Sequence, residues 1–235
     1  MSRLVVALLL ALSLRGCVAY EFEHEFWIRV DGSGTVNVTA RPELWAAMKG
    51  LRGAADSDAA METVRGLFES SGLRVRRVTL THRGGRPYLF VSADFPDVNR
   101  LAGTPAFPDL ALSLRPDGEN LRLEGRWSRP SGLPDVGRDA RDGLMAVRFH
   151  LPSKVYSHRN AFAGVERGNI VGWRETVVEG LAGRPLEVGA LMDRRSILMS
   201  TVGLFAIAIA AALAIFTTVL WWVVRKGRRA SAAVP

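Results

Sequence analysis

Four histidines are the side chains in this sequence best suited to metal binding or to proton transfer near neutral pH. They are His24, His82, His150 and His158. They lack metal-ligand spacing and a cysteine partner, so we predict no metal site. His24 falls on the apolar face of a predicted strand and is expected to pack there. His150 and His158 are expected to be solvated.

A second candidate for chemistry is the alternating row Glu21, Glu23 and Glu25. In a strand these carboxylates share one face at a spacing of about 7 Å. They form either a ladder for cations or, more commonly, a solvated polar face. The segment Asp31-Gly32-Ser33-Gly34 has the glycines of a turn and no helix after it, so a turn is favoured over a phosphate cradle.

Motifs for covalent or nucleotide chemistry are missing from the sequence. It contains no G-x-S-x-G, no P-loop and no G-x-G-x-x-G. No nucleophile can be matched with a base, so a hydrolase is the least favoured class. We therefore predict a protein that is not an enzyme, with no catalytic residues and no cofactor.

The net charge of +8 reflects the two ends of the chain more than its middle. Six of the 31 lysines and arginines lie at the ends, which leaves 25 against 23 acidic residues. The six are Arg3, Arg15, Arg225, Lys226, Arg228 and Arg229. No basic stripe with interleaved aromatic residues is present, so nucleic-acid binding is not expected.

Residues 1–19 have the pattern of an export signal. Arg3 precedes the apolar run Leu4–Leu14, which is too short to cross a bilayer. Leu14-Arg15-Gly16-Cys17 resembles a bacterial lipobox, in which Cys17 is acylated. The alternative is cleavage after Ala19, which removes Cys17 with the signal. Because Cys17 is the single cysteine, an intramolecular disulfide is excluded.

Residues 196–224 contain no charge and are long enough to span a membrane as a helix. Trp221 and Trp222 stand at the C-terminal end, where an aromatic belt is expected. The tail 225–235 begins with Arg225, Lys226, Arg228 and Arg229, which by the positive-inside rule places it in the cytoplasm. We therefore predict a single-pass protein of the cell membrane whose domain, 20–195, lies outside the cytoplasm.

The sequence of the domain predicts a series of strands, with helices grouped near its start. Apolar residues at helical spacing follow Pro42, and a second helix is expected after a cap at Asp56 or Ser57. The pattern predicts an α+β fold with a mostly antiparallel sheet, two or three helices packed on it, and one C-terminal transmembrane helix. The predicted strands are 20–30, 35–40, 73–81, 87–95, 110–115, 121–127, 144–151, 170–177 and 186–191, with 128–143 as a loop.

An ordered set of short motifs precedes the predicted membrane helix. Leu151-Pro152 ends an aliphatic strand, Asn160-Ala161 follows, and a later strand carries Trp173. Together with the lipobox and the hairpin at 28–36, this order resembles the LppM-domain family of bacterial envelope lipoproteins. The resemblance implies an exported sheet domain, similar to lipid-binding folds, tethered to the membrane and without catalysis. Leu151, Pro152, Asn160 and Trp173 are its motif positions, for which we expect structural roles.

Two functions remain open from the sequence. In the first, the tethered domain binds a membrane lipid or another amphiphile, which requires an apolar pocket that stays open. In the second, the domain is a non-catalytic interaction or structural protein with a filled core and a protein partner in the envelope. The packing between the sheet and its neighbouring elements distinguishes the two.

Overall fold

The computed structural model describes residues 20–51, 58–129, 131–132, 143–195 and 197–231. Three sequence predictions therefore lie outside the described residues. They are the export signal with Cys17, the helix caps Asp56 and Ser57, and most of the loop 128–143.

The larger of two sheets has seven strands in the order β3-β4-β2-β1-β7-β10-β9. Its neighbours pair antiparallel, except that β1 and β7 run parallel. The parallel pair brings the start of the domain against a strand more than 100 residues later. The strands are β1 Phe22–Ile28, β2 Gly34–Ala40, β3 Arg74–Arg83, β4 Arg86–Phe95, β7 Leu144–His150, β9 Phe162–Glu166 and β10 Ile170–Thr176.

The smaller sheet has four antiparallel strands in the order β5-β6-β11-β8. They are β5 Leu110–Asp117, β6 Asn120–Trp127, β8 Val155–His158 and β11 Leu186–Asp193. The α+β, mostly antiparallel class is confirmed, but the strands form two sheets where one was predicted. His158 is exposed, as predicted, and is the last residue of β8.

Within the described residues, three helices accompany the sheets. They are α1 Pro42–Lys49, α2 Asp58–Ser70 and α3 Val177–Leu181, and a 3-10 turn covers Val98–Arg100. Proline opens α1 and Gly50, at φ 70°, ends it in the left-handed region that favours glycine. A capping box between Thr176 and Glu179 starts α3.

Aromatic side chains fill the space between β1 and the elements that cover it. Phe22 stacks on Trp127 of the smaller sheet, with ring centroids 5.4 Å apart. Phe26 lies 6.0 Å from Phe107, and Phe68 of α2 contacts the same ring at 5.6 Å. Large apolar rings at such distances are the main source of core stability.

A single long helix, α4 Ile197–Ser231, follows the domain. Within it, Thr201–Val223 is long and apolar enough to cross a membrane, with a mean hydropathy of 2.5 and none of it buried. The predicted C-terminal apolar helix is therefore present. It continues beyond Val224 through most of the predicted tail.

Candidate functional site

The end of the domain nearest α4 is built by turns from both sheets. Asp193, the last residue of β11, pairs with Asn120 at the β5–β6 turn. Met192 pairs with Val155 at the start of β8. We call the β5–β6 turn, the start of β8, the β1–β2 turn and residues 193–195 the helix-proximal end.

The first cleft at the helix-proximal end has a volume of about 420 Å³. Tyr156, 55% exposed, donates from its hydroxyl to Asp193 Oδ2 at 3.0 Å. The backbone N–H of Arg195 donates to Asp193 Oδ1 at 2.7 Å. These two hydrogen bonds, the backbone one first, lower the pKa of Asp193. The other lining residues are Gly118, Glu119, Asn120 and Arg194.

A second cleft, of about 270 Å³, shares Arg194 with the first. Val30, 38% exposed, and Gly32 bring the β1–β2 turn to its wall. Gly32 has φ 82°, so the turn needs the left-handed conformation that glycine adopts without strain. Its other lining residues are Asp31, Asn99, Leu114, Pro116 and Leu121.

Both clefts are open, and the carboxylates of Asp31, Glu119 and Asp193 line them together with two arginines. Arg194 and Arg195 offer guanidinium groups, which bind phosphate or carboxylate oxygens in pairs. Only two residues separate Arg194 from the first turn of α4, a distance of at most about 10 Å along the chain. Sequence reasoning missed this site, although two arginines directly before an uncharged stretch were visible there.

A buried ionic centre lies in the core, away from the clefts. Lys49 Nζ is 3.0 Å from Asp109 Oδ1, and both side chains are fully buried. The second oxygen of Asp109 accepts a hydrogen bond from Trp127 Nε1. His24 lies against Trp127, with centroids 4.6 Å apart, and neither of its ring nitrogens hydrogen-bonds to a described residue. The predicted core position of His24 is correct.

Acidification is expected to weaken the fold through His24. Burial, and then the charge of Lys49, lower its pKa well below 6.5. The unfolded chain therefore binds this proton more tightly. The free energy of unfolding should fall by up to about 1.4 kcal/mol per pH unit as pH drops below about 6.5. Denaturant unfolding of the full chain in detergent should show this slope, and His24→Leu should flatten it. The exposed control His158→Gln should keep it, and an unchanged slope in His24→Leu would contradict the assignment.

The glutamate row on the outer face of the larger sheet does not gather into one cation site. Glu21, 8% exposed, accepts from the Tyr88 hydroxyl, whereas Glu25 lies 2.7 Å from His150 Nε2. Burial and the neighbouring Glu25 raise the pKa of Glu23. No group of three or more metal-ligating side chains occurs in the described part of the chain.

The predicted solvation of His150 is wrong. Its ring stacks on Trp27 at 4.6 Å and 14°, and its side chain is only 22% exposed. The cause is the parallel pairing of β1 with β7, which puts Trp27 directly beside His150. Within the described residues no hydroxyl or thiol hydrogen-bonds to this histidine, whose partners are Glu25 and the Trp27 ring.

Comparison with solved structures finds distant likenesses, among them one to a domain solved by NMR. It is the NMR structure of the folded domain of Mycobacterium tuberculosis LppM, 18% identical, with a TM-score of 0.42. The match covers 73% of this chain and 88% of that one. No protein-family model and no curated protein matches the chain. The function therefore has to be inferred from this chain's own contacts and charges.

The four motif positions are spread over the fold and line neither cleft. Leu151 is 2% exposed. Its backbone N–H donates to the Asn169 carbonyl, and its own carbonyl accepts from Asn169 Nδ2. Pro152 follows in a bend. Asn160 is an exposed turn residue with φ 51°, a conformation that asparagine tolerates. Trp173 is buried and donates from Nε1 to the carbonyl of Arg159.

The predicted membrane-interface residues all lie on α4. Trp221 and Trp222 are 59% and 57% exposed. The Arg225 guanidinium lies 4.9 Å from the Trp221 ring centroid, a cation–π contact. Lys226, Arg228 and Arg229 fall in the last turns of the same helix.

Proposed function

We propose that this protein is a membrane-anchored, non-catalytic module of the cell envelope that binds anionic lipid head groups at its helix-proximal end. In this proposal α4 spans the membrane and the domain lies outside the cytoplasm. The observation that carries the proposal is the pair of open clefts that share Arg194 next to α4.

The helix-proximal end combines the features of a surface that meets a bilayer. Tyr156 and Val30 are exposed there, and Arg194 and Arg195 are close to them. Aromatic and cationic side chains favour the head-group layer. A cation near an anionic membrane surface contributes about 1 kcal/mol to attraction. The site therefore suits a head group of one of the lipids that surround α4.

The packing of the core argues against a ligand held between the sheets. An acyl chain would have to displace Phe22, Trp127 or Phe107, which pack against one another or against β1 with ring centroids 5–6 Å apart. Displacing such rings forfeits their burial energy. The filled core is the feature expected of the second function considered from the sequence, so the proposal keeps a lipid only as a head group bound outside the core.

Hydrogen exchange of the full chain in lipid nanodiscs tests the proposal. Amides of 118–120 and Tyr156 are expected to exchange more slowly in anionic discs than in zwitterionic ones. Arg194→Gln with Arg195→Gln should abolish this difference, because two lost cations weaken the attraction by about thirtyfold. Arg126→Gln, an exposed arginine of β6, is the matched control. Equal exchange in both kinds of disc would refute head-group binding.

A further inference from the structure

A small pocket opens on the outer face of the larger sheet, on the side of edge strand β9. Its volume is about 50 Å³. Gly172 of β10 lies in register between Arg148 of β7 and Phe162 of β9. Because glycine has no side chain, a gap remains between these two neighbours. A Cβ at Gly172 would meet only the Val147 carbonyl oxygen, at 3.9 Å.

Two arginines border this gap. Arg148 and Arg174 both line the pocket, and neither comes within ion-pair distance of an acidic group among the described residues, although the charge of Arg148 acts on Glu23. The Arg174 guanidinium lies over the Phe162 ring, with Cζ 3.1 Å from the centroid. Stacking of this kind holds the guanidinium in place while its N–H edges stay available. The one acidic residue that lines the pocket is Glu166.

We propose that this pocket binds a phosphate monoester group, held by Arg148 and Arg174. Planar guanidinium groups bind phosphate oxygens through paired, charge-assisted hydrogen bonds. A water molecule takes about 10–15 Å³ of such space, so the pocket holds roughly four small atoms, which suits a phosphoryl group and excludes an acyl chain. Gly172 provides the room, and Phe162 orients one of the two cations.

The pocket is separate from the helix-proximal clefts. In the backbone register, Arg148 of β7 lies opposite Glu25 of β1. Arg174 is one strand further away, on β10, in the row of Glu23. Along β1 these rows are about 15–25 Å from Val30, at about 3.3 Å per residue. A phosphate bound there therefore projects from another envelope component or is free in solution, unless a lipid leaves the bilayer. The domain would then hold one anionic group at the membrane and a second one above it.

Titration of the isotope-labelled full chain in detergent micelles tests this pocket. Inorganic phosphate at constant ionic strength is expected to shift the Gly172 amide and the Arg174 side-chain resonance saturably, in the millimolar range. Arg148→Gln and Arg174→Gln should each weaken binding about tenfold or more. Gly172→Val keeps both charges but fills the gap, and should weaken binding equally. Arg126→Gln should leave it unchanged.

A second arm uses a short-chain phosphatidic acid below its micelle concentration. Tighter binding of this lipid than of inorganic phosphate supports a lipid source, and equal binding supports a soluble phosphate ester. The absence of a saturable shift with either probe would overturn the proposal. Phosphate binding that persists in Gly172→Val and in both arginine variants would also overturn the proposal. The same holds if chloride at the same ionic strength produces the same shifts. If an arginine variant fails to fold, phosphate binding by Gly172→Val decides whether the pocket is the binding site.

Discussion

Asp109→Ala is expected to destabilise the domain by about 3–5 kcal/mol, the usual cost of leaving one partner of a buried ion pair alone. Asp109 accepts hydrogen bonds from Lys49 Nζ and Trp127 Nε1, and no part of the Lys49 side chain reaches solvent. Without Asp109, the ammonium keeps contacts with the rings of Phe107 and Phe22, at 4.9 and 5.9 Å, which do not replace a carboxylate. A loss of this size is a large part of the stability of a domain.

Denaturant unfolding of the full chain in detergent, followed by near-UV circular dichroism, measures this loss. Lys49→Met combined with Asp109→Asn should recover most of it, because no charge remains buried and the amide oxygen still accepts from Trp127. The exposed pair Arg122–Asp117, 47% and 44% exposed, is the control. Asp117→Ala should change stability by less than about 1 kcal/mol. A similar effect of Asp109→Ala and Asp117→Ala would show that the buried pair is not a structural centre.

Local patterns in the sequence were sufficient for the long strands and for α1 and α2, whereas α3 was missed. The alternation in β1 correctly assigned Phe22, His24 and Phe26 to the interior, because side chains alternate between faces along a strand. Pro42 marked the start of α1. Strands β8 and β9 were missed because they are short, and because Gly164, at φ 75°, interrupts the regular pattern of β9.

Features that depend on contacts between distant segments could not be predicted. Lys49 reads as an ordinary cation at the end of a helix, and nothing local links it to Asp109, 60 residues later. The contact of His150 with Trp27 depends on the parallel pairing of β1 and β7. The same limit applies to both clefts and to the arginine pocket, because each joins turns or strands from separate parts of the chain.

Removal of residues 196–235 is expected to transfer the domain from the membrane fraction to the soluble fraction, unless Cys17 is acylated. Full-length Cys17→Ala should stay in the membrane, because the apolar segment Thr201–Val223 suffices as an anchor. Fractionation of four chains distinguishes anchoring by α4 from anchoring by an acylated Cys17. The four are the native chain, Cys17→Ala, the truncated chain, and the truncated chain with Cys17→Ala. Soluble full-length Cys17→Ala, without proteolysis, would contradict the role of α4.

Retention of the truncated chain by Cys17 would also restrict how the domain sits on the bilayer. β1 runs for about 20 Å from Phe22 to Ile28, and the turn after Ile28 belongs to the helix-proximal end. Tyr20 is therefore near the opposite end, and the three residues from Cys17 to Tyr20 reach only about 10 Å. Acylated Cys17 and α4 can enter one bilayer together only if the domain lies with β1 along the surface. Release of the truncated chain, with Cys17 intact, is the outcome expected for an upright domain whose helix-proximal end meets the lipid head groups.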